Sequence, residues 1–308
     1  MKSRGDFVSN LLVTGITGRS GKYLGDILIK NNYPDVTALI RNKEKFEKLF
    51  GKPENLKYKI CDISDVDEIA TIIKEKQIDT IFHIYNIKHS VGIVKAAIAS
   101  SCVKRIILVH TTGIYSKFKS ASSEYIEIEN TIYNLLKDSE IAVTILRPTM
   151  IYGSLDDKNI SSFIKMVDKL RLFPLVNGGK YELQPVNHID LGKAYYQVLT
   201  NPEKTKNKNY NLSGGTVIYL KDILKNISKF LGKKTIFFSV PFGFAYFMAK
   251  VLYWLTLKKI DFRERVQRLV EPRAYEHNAA IDDFGYSPIN FLDGLEKEVK
   301  EYIEAKNK

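Results

Sequence analysis

Three glycines spaced three residues apart follow a short apolar run and precede a helical pattern. Because glycine has no Cβ atom, the backbone there can turn tightly and approach a pyrophosphate closely. The N–H groups at the start of the following helix then point toward the negative charge. We therefore predict that this turn binds the phosphates of a dinucleotide, with contacts from Gly15, Thr17, Gly18, Arg19, Ser20 and Gly21.

Arg41 ends the second predicted strand, at a position that selects between two dinucleotide cofactors. An acidic residue there would hydrogen-bond the ribose 2′-hydroxyl of NAD, whereas an arginine pairs with the 2′-phosphate of NADP. Arg19 lies inside the glycine turn, so we expect its guanidinium to converge with that of Arg41 on the same phosphate. NADP is the predicted cofactor, and NAD is the alternative.

Asp62 ends the third predicted strand. Its carboxylate can accept a hydrogen bond from the adenine amino group of a bound dinucleotide. Spacing alone gives nearly equal support to an ordinary helix-capping aspartate. Only the position of Asp62 in the strand and helix series favours the cofactor-binding interpretation.

Apolar strand-like runs alternate with helical patterns through the first half of the chain. The predicted strands are 11–14, 36–40, 56–60, 80–84, 105–109 and 143–146, and the predicted helices lie near 20–31, 43–50, 65–76, 90–101 and 121–139. This alternation predicts an α/β fold with a doubly wound parallel sheet that binds ligands beyond the carboxyl ends of its strands. After about residue 155 the strand-like and helical patterns no longer alternate regularly, which predicts a smaller C-terminal α/β substrate lobe.

Composition limits the class of protein. The chain has 308 residues, of which 44% are hydrophobic, so it can bury a large core. Cys61 and Cys102 lack partners at metal-ligand spacing, which disfavours disulfide scaffolds and zinc sites and fits a reducing cytoplasm. Residues 1–6 contain no apolar segment of signal-peptide length, so secretion is not expected. The net charge of +12 comes from scattered lysines, and no nucleic-acid-binding module is recognisable.

Several further segments carry recognisable patterns: Asp62, Ile81-Phe82-His83, Val103-Lys104-Arg105-Ile106-Ile107-Leu108-Val109, Leu146-Arg147-Pro148-Thr149-Met150-Ile151-Tyr152-Gly153 and Phe284-Gly285-Tyr286-Ser287-Pro288. Together with 14–21 they resemble the extended or atypical short-chain dehydrogenase/reductases, the NAD-dependent epimerase/dehydratase group, over nearly the whole chain. The resemblance implies an NAD(P)-binding Rossmann domain over 1–155, with a return segment at about 184–200, and a substrate lobe over most of 156–308. It also implies that Tyr85 forms a wall of the cofactor site and that Pro148 lies beside the nicotinamide.

Members of this family usually act through a tyrosine, a lysine four residues later and a serine or threonine about a dozen residues earlier. The resemblance assigns the tyrosine position to Tyr125 and the hydroxyl to Thr111 or Thr112, of which we select Thr112. The fourth residue after Tyr125 is Glu129 instead of lysine. An ionised carboxylate one helical turn away would disfavour the phenolate form of Tyr125.

Other side chains offer alternatives for the missing charge and for the acid or base. Lys117 or Lys119 would supply a cation from the preceding loop, although loop lysines are usually solvated. Tyr115 is a second phenol, with partly buried aromatic packing as its ordinary role. His110 is a better functional candidate than His83, because it lies at the carboxyl edge of the sheet.

Residues 236–257 form an apolar stretch that approaches the length of a membrane span. Pro241, Gly243 and Lys250 interrupt it, which disfavours a true span. The remaining alternatives are a buried helix of the substrate lobe, a dimer face, and a helix lying in a membrane interface next to Lys258 and Lys259.

Two functions from different classes fit these patterns. The first is an NADP-dependent oxidoreductase or epimerase/dehydratase-like enzyme that acts on a nucleotide-linked sugar or a similar polar carbonyl or alcohol. The second is a non-catalytic NADP-binding redox sensor or assembly factor, which Glu129 favours. In both cases we expect a cytoplasmic protein, with membrane association through 236–257 as an open alternative.

Overall fold

The structure, a computed structural model, describes residues 10–307, so the expectation for residues 1–6 lies outside the described residues. Thirteen strands are present in this part of the chain: β1 (Leu11–Thr14), β2 (Val36–Ile40), β3 (Leu56–Ile60), β4 (Thr80–His83), β5 (Arg105–Val109), β6 (Ala142–Pro148), β7 (Ile151–Tyr152), β8 (Leu172–Val176), β9 (Glu182–Leu183), β10 (Val186–Asn187), β11 (Asn209–Leu212), β12 (Ile218–Tyr219) and β13 (Ile236–Val240).

The α-helices of the same residues are α1 (Arg19–Lys30), α2 (Lys43–Phe50), α3 (Val66–Glu75), α4 (Ser90–Ser100), α5 (Lys119–Leu136), α6 (Ile160–Lys169), α7 (His188–Thr200), α8 (Pro202–Thr205), α9 (Leu220–Phe230), α10 (Phe242–Leu255), α11 (Arg263–Arg268), α12 (Asn278–Phe284) and α13 (Phe291–Lys306). Short 3-10 turns follow β4 at Ile87–His89 and β5 at Thr112–Tyr115.

Seven strands form one parallel sheet in the order β11-β6-β5-β4-β1-β2-β3. The central strands are buried on both faces, as continuous apolar runs require when helices cover both sides of a sheet. The predicted α/β class with a doubly wound parallel sheet is confirmed. The register places Thr14 beside His83, so the segments that follow β1 and β4 leave the sheet at the same edge.

Two hydrophobic clusters cover the two faces of this sheet. One cluster contains apolar residues of α1 and α7, and the other contains apolar residues of α3, α4 and α5. The last strand of the sheet, β11, comes from residues beyond the expected return segment at 184–200. Its Tyr210 and Leu212 belong to the first cluster, together with Phe284 and Tyr286.

The remaining elements form a smaller unit around a third cluster, which includes Ile164, Leu224 and Leu295. Two-stranded pairs join β8 with β13, β9 with β12, and β7 with β10. Within α10, Ala249 is the buried residue. No helix among residues 10–307 combines the length and the apolarity needed to cross a membrane.

Candidate functional site

The glycine turn connects β1 to α1, and two of its glycines are required by the packing of the chain itself. Gly15 has φ of +74°, and a Cβ atom on it would lie 2.7 Å from the backbone nitrogen of Tyr85. A Cβ atom on Gly21 would collide with the carbonyl oxygen of Gly15. These two glycines therefore let β1, α1 and the segment after β4 approach one another.

Gly18 differs from the other two glycines because it is exposed and has an extended backbone with φ of −79°. Its N–H donates to the carbonyl of Gly15 at 2.9 Å, which closes the turn. Lys22 donates to the carbonyl of Gly18, so the N–H groups of Arg19, Ser20 and Gly21 precede the hydrogen-bond ladder of the helix. An exposed glycine in front of these donors fits the close approach of a pyrophosphate.

A cavity of about 130 Å³ adjoins the glycine turn at the ends of β1 and β2. Gly15, Thr17, Arg41, Lys45 and Tyr85 are among the residues that line it. The Arg41 guanidinium carbon lies 5.4 Å from the centre of the Tyr85 ring, which holds this cation at the wall of the cavity. The lining combines two cations with backbone from the glycine turn and suits a phosphate group.

Asp62 is exposed at the end of β3, close to this cavity. Its carboxylate accepts from the backbone N–H of Ser64 at 2.9 Å, and this bond, with a smaller effect of Arg41, lowers the pKa of Asp62. The N-cap of α3 is Asp65, which accepts from the N–H of Glu68 at 2.9 Å. The alternative that Asp62 caps this helix is therefore wrong.

Arg19 and Arg41 have different partners in the structure. The Arg19 Nε donates to Asp156 Oδ1 at 2.9 Å, and the same side chain donates to the Asp156 carbonyl. This pairing lowers the pKa of Asp156 to about 2. The expected convergence of Arg19 with Arg41 is therefore wrong for this structure, because Arg19 connects the start of α1 to the loop after β7.

Tyr125 lies one and a half turns into α5, beside the turn that follows β5. A Cβ atom on Gly113 would be 3.0 Å from Cε2 of Tyr125 and 3.3 Å from Oγ1 of Thr111. The Thr111 hydroxyl accepts from the N–H of Gly113 at 3.0 Å, so its own proton remains available to a ligand. Tyr125 and Thr111 are thus brought together at the carboxyl edge of the sheet.

Thr112, our selected candidate hydroxyl, has a different environment. It is buried and donates to the carbonyl of Pro148 at 3.2 Å. This bond connects the end of β5 to the end of β6 and fixes Pro148. Of the two threonines, Thr111 is the one whose hydroxyl borders Gly113 on the side of the Tyr125 ring.

Glu129 lies in the core, at 3% exposure, and does not face the cleft. Its Oε1 accepts from His110 Nδ1 and Arg147 Nε, each at 3.0 Å, and its Oε2 accepts from a terminal nitrogen of Arg147. Burial opposes ionisation, but these hydrogen bonds hold the pKa of Glu129 below its ordinary value. Glu129 occupies the sequence position of the usual lysine, and its carboxylate is bound within the core by His110 and Arg147.

The network around Glu129 extends in two directions that the sequence did not predict. His110 Nε2 lies 3.1 Å from the hydroxyl of Ser90, and Arg147 donates to the Tyr115 phenol oxygen at 3.2 Å. Burial lowers the pKa of His110, so a neutral imidazole donates from Nδ1 to Glu129 and accepts from Ser90. His110 is thus an internal link of a buried network.

His83, the weaker functional candidate of the two histidines, is a hydrogen-bonded residue of the core. Its ring is fully buried between the Thr14 hydroxyl, 2.7 Å from Nδ1, and the Asn86 carbonyl, 3.3 Å from Nε2. Because the carbonyl can only accept, Nε2 carries the proton. Burial lowers the pKa of His83 to about 3.

Lys88 is a cation paired with Glu124, the residue before Tyr125 on α5, and the sequence interpretation missed it. It lies in the 3-10 turn after β4, and its Nζ is 2.8 Å from Oε1 of Glu124 on α5. The pKa of Lys88 is raised, first by the hydrogen bond to Glu124 and also by the nearby Tyr125 phenol. The sequence could have indicated Lys88, because it lies three residues after Tyr85, which was already predicted to border the cofactor.

Comparison with known proteins shows the family and the fold of this chain. A family model described as NAD(P)H-binding matches residues 15–171, a little over half of the chain. The chain is 22% identical to a UDP-glucose 4-epimerase of Vibrio cholerae over 338 residues, with 97% of both chains covered.

Solved structures match over nearly their whole length. A UDP-glucuronic acid 4-epimerase of Bacillus cereus, in complex with UDP-glucuronic acid and NAD, has a TM-score of 0.73 at 17% identity, with 96% of this chain and 99% of that chain covered. A dTDP-glucose 4,6-dehydratase of Streptomyces venezuelae, with NAD bound, has a TM-score of 0.73 at 17% identity, with 96% and 98% covered. At these identities the structural matches establish the fold.

Proposed function

Because this chain belongs to the NAD(P)H-binding family, we propose that it is an NADP-dependent enzyme of the epimerase/dehydratase type. Its substrate would be a nucleotide-linked sugar or a similar polar carbonyl or alcohol. The similar proteins that carry such names, a UDP-glucuronic acid 4-epimerase and a dTDP-glucose 4,6-dehydratase, support this substrate class. The proximity of Tyr125 to Thr111 at the edge that also carries the glycine turn is the observation on which the proposal rests.

The residues of the glycine turn fit the cofactor. Gly18 leaves room for a pyrophosphate in front of the N–H groups of Arg19, Ser20 and Gly21. Arg41 and Lys45 line the adjoining cavity, where they would hold the ribose 2′-phosphate of NADP. The N–H of Arg19 contributes to the pyrophosphate site while its side chain remains paired with Asp156.

The chemistry divides between the cofactor and the chain. When bound, the nicotinamide dinucleotide donates or accepts a hydride. Tyr125 gives a proton to the substrate oxygen from its hydroxyl or takes one from it as the phenolate, and the Thr111 hydroxyl orients that oxygen. Thr112 acts indirectly, because its bond to the Pro148 carbonyl shapes the wall expected beside the nicotinamide.

Lys88 partly replaces the lysine that is missing four residues after Tyr125. A cation near a phenol favours the phenolate, which a proton-accepting tyrosine needs. Glu129 does not counteract this effect strongly, because its charge is compensated by Arg147 within the core. We assign Lys88 as a positioning residue that acts through Tyr125.

The test is a turnover assay with NADP, NADPH and a panel of UDP- and dTDP-linked sugars. Product analysis accompanies the absorbance of reduced nicotinamide, since an epimerisation leaves no net change in the cofactor. Tyr125→Phe is expected to lower the rate by about 10²-fold or more. Tyr133→Phe, which removes an exposed phenol from the same helix, is the matched control. A wild-type rate that survives Tyr125→Phe would exclude the tyrosine assignment and redirect attention to Tyr115.

A second candidate is a non-catalytic NADP-binding sensor or assembly factor. The buried pair of Glu129 with Arg147, at the position where the family usually has its lysine, favours it. A sensor would bind NADPH without turning over any sugar in the panel, and Tyr125→Phe would leave that binding unchanged. Measurable turnover by the wild type would exclude this candidate.

A further inference from the structure

The apolar stretch 236–257 is largely exposed in the structure, so its interpretation as a buried helix is wrong. On α10, Phe244 is 59% exposed, Trp254 65% and Leu255 77%. Leu257, just after the helix, is 79% exposed. Isolated exposed apolar residues are common, but a contiguous group of large ones marks a surface that contacts something other than water.

An apolar groove continues this surface toward the body of the smaller lobe. It encloses about 450 Å³ between α6, α9, α10 and the pair of β8 and β13. Phe163, Phe173, Leu224, Phe238 and Met248 are among its lining residues. We refer to residues 236–260, with this groove, as the α10 surface.

The charged residues of the α10 surface have one sign. Residues 236–260 contain three lysines, Lys250, Lys258 and Lys259, and no aspartate or glutamate. Lys250 lies 5.0 Å from the centre of the Tyr246 ring, and Lys258 lies 5.2 Å from that of Trp254. Their ammonium groups therefore lie beside aromatic side chains, half-buried Tyr246 and exposed Trp254.

We propose that the α10 surface binds the headgroup region of an anionic phospholipid membrane. Helix α10 would lie in the plane of the interface, with Phe244, Trp254 and Leu255 among the acyl chains. Lys258 and Lys259 would contact the lipid phosphates. The helix lies on the membrane and does not cross it, because its fourteen residues are shorter than a span.

Charge complementarity favours a lipid surface over a second copy of the chain. A symmetric dimer through α10 would bring two lysine-rich surfaces of the same sign together, which opposes association. An anionic membrane offers opposite charge to the lysines and hydrocarbon to the aromatic side chains. An anionic membrane thus accounts for both the positive charge and the exposed apolar side chains of the α10 surface.

Flotation of the full-length protein with lipid vesicles tests the proposal. We expect binding to phosphatidylcholine vesicles that contain about 30% phosphatidylglycerol, and weak binding to phosphatidylcholine alone. The double variant Trp254→Glu and Leu255→Glu should lower the bound fraction about tenfold or more. The double variant Lys258→Glu and Lys259→Glu should lower it in the same direction, and added salt should weaken the wild type.

Matched controls separate the α10 surface from general changes in charge or polarity. Ile281→Glu replaces an exposed apolar residue on α12, and Lys48→Glu with Lys52→Glu reverses two exposed charges at the end of α2. Both controls should bind as the wild type does. Failure of the wild type to bind anionic vesicles at low salt would overturn the proposal. So would a dimer that the Trp254→Glu and Leu255→Glu variant dissociates, because the surface would then join two copies.

Discussion

Arg147 holds Glu129 with two parallel hydrogen bonds, one from Nε at 3.0 Å and one from a terminal nitrogen. The side chains are 10% and 4% exposed, so this ion pair joins α5 to β6 inside the protein. His110 completes the hydrogen bonding of the carboxylate. A residue that the spacing assigned to the cleft thus connects two elements of the core, and its replacement should act on stability first.

Glu129→Lys is expected to destabilise the fold by about 3–5 kcal/mol, the range for breaking a buried ion pair. The substitution would leave the Arg147 charge uncompensated and bury a second cation beside it. Urea unfolding at neutral pH measures the change in the free energy of unfolding. Glu127→Lys, an exposed position on the same helix, is the control and should be nearly neutral. A Glu129→Lys protein with wild-type stability and raised turnover would contradict the core assignment.

His83 should make the protein less stable in mild acid. Its folded pKa is about 3, well below the ordinary histidine value of 6.5, because burial disfavours the charged ring. The unfolded chain therefore binds the proton first, and stability decreases as the pH falls from about 6.5 toward 3. Urea unfolding of wild type and His83→Asn between pH 7 and pH 4 measures this. We expect a shallower decrease in His83→Asn than in the wild type, and an equal decrease would contradict this role of His83.

The fold was predictable from the sequence because most strands of the main sheet up to β6 are short apolar runs between helical patterns, while β3 alternates apolar residues with lysines. Strand β11 was missed because it has four residues, Asn209–Leu212, of which two are polar. Its pairing partner β6 lies more than sixty residues earlier. A segment this short is recognised as a strand only once its partner is known.

The position of Glu129 was partly readable from the sequence. Ile132 and Leu136 follow it at three and seven residues, which places all three on one face of a helix, and both apolar residues are buried. Tyr125 lies on the same face one turn nearer the helix start, toward the cleft. The ion pair itself was not readable, since Arg147 comes from a strand. Lys88 and Glu124 likewise come from separate elements.

Arg41→Ala should weaken NADPH binding and leave NADH binding nearly unchanged. A hydrogen bond to a charged group contributes about 1.5–3 kcal/mol, and we expect the lower end, about tenfold in Kd, because Arg41 is exposed to water. Fluorescence titration with both cofactors measures the difference. Arg171→Ala, which removes an exposed arginine elsewhere, should change neither affinity. Equal wild-type affinities for NADPH and NADH would contradict the assignment of Arg41 to the 2′-phosphate.

Gly18→Val should abolish dinucleotide binding while the protein stays folded. The extended backbone of Gly18 accepts a side chain, with the Gly15 carbonyl oxygen 3.1 Å from the new Cβ atom as the nearest neighbour. The valine methyl groups would occupy the space in front of the N–H groups that start α1. Cofactor titration and circular dichroism together measure the outcome, with Gly243→Val at an open position as control. Unimpaired binding would show that the turn has only a structural role.

Lys88→Met and Glu124→Gln should change turnover in opposite directions if Tyr125 is the proton-transferring residue. Lys88→Met removes the cation near the phenol, so the rate near neutral pH should fall about tenfold, with partial recovery at higher pH. Glu124→Gln removes the carboxylate that lies 2.8 Å from the ammonium of Lys88. The positive charge of Lys88 is then no longer offset by Glu124, so the phenolate form of Tyr125 should be favoured and the rate should rise. In a Tyr125→Phe background neither substitution should change the rate.

Lys88 is exposed and loses only a surface ion pair, so unfolding midpoints should remain near the wild type. If Lys88→Met and Glu124→Gln shift the rate in the same direction, or if their effects persist without the phenol, Lys88 does not act through Tyr125.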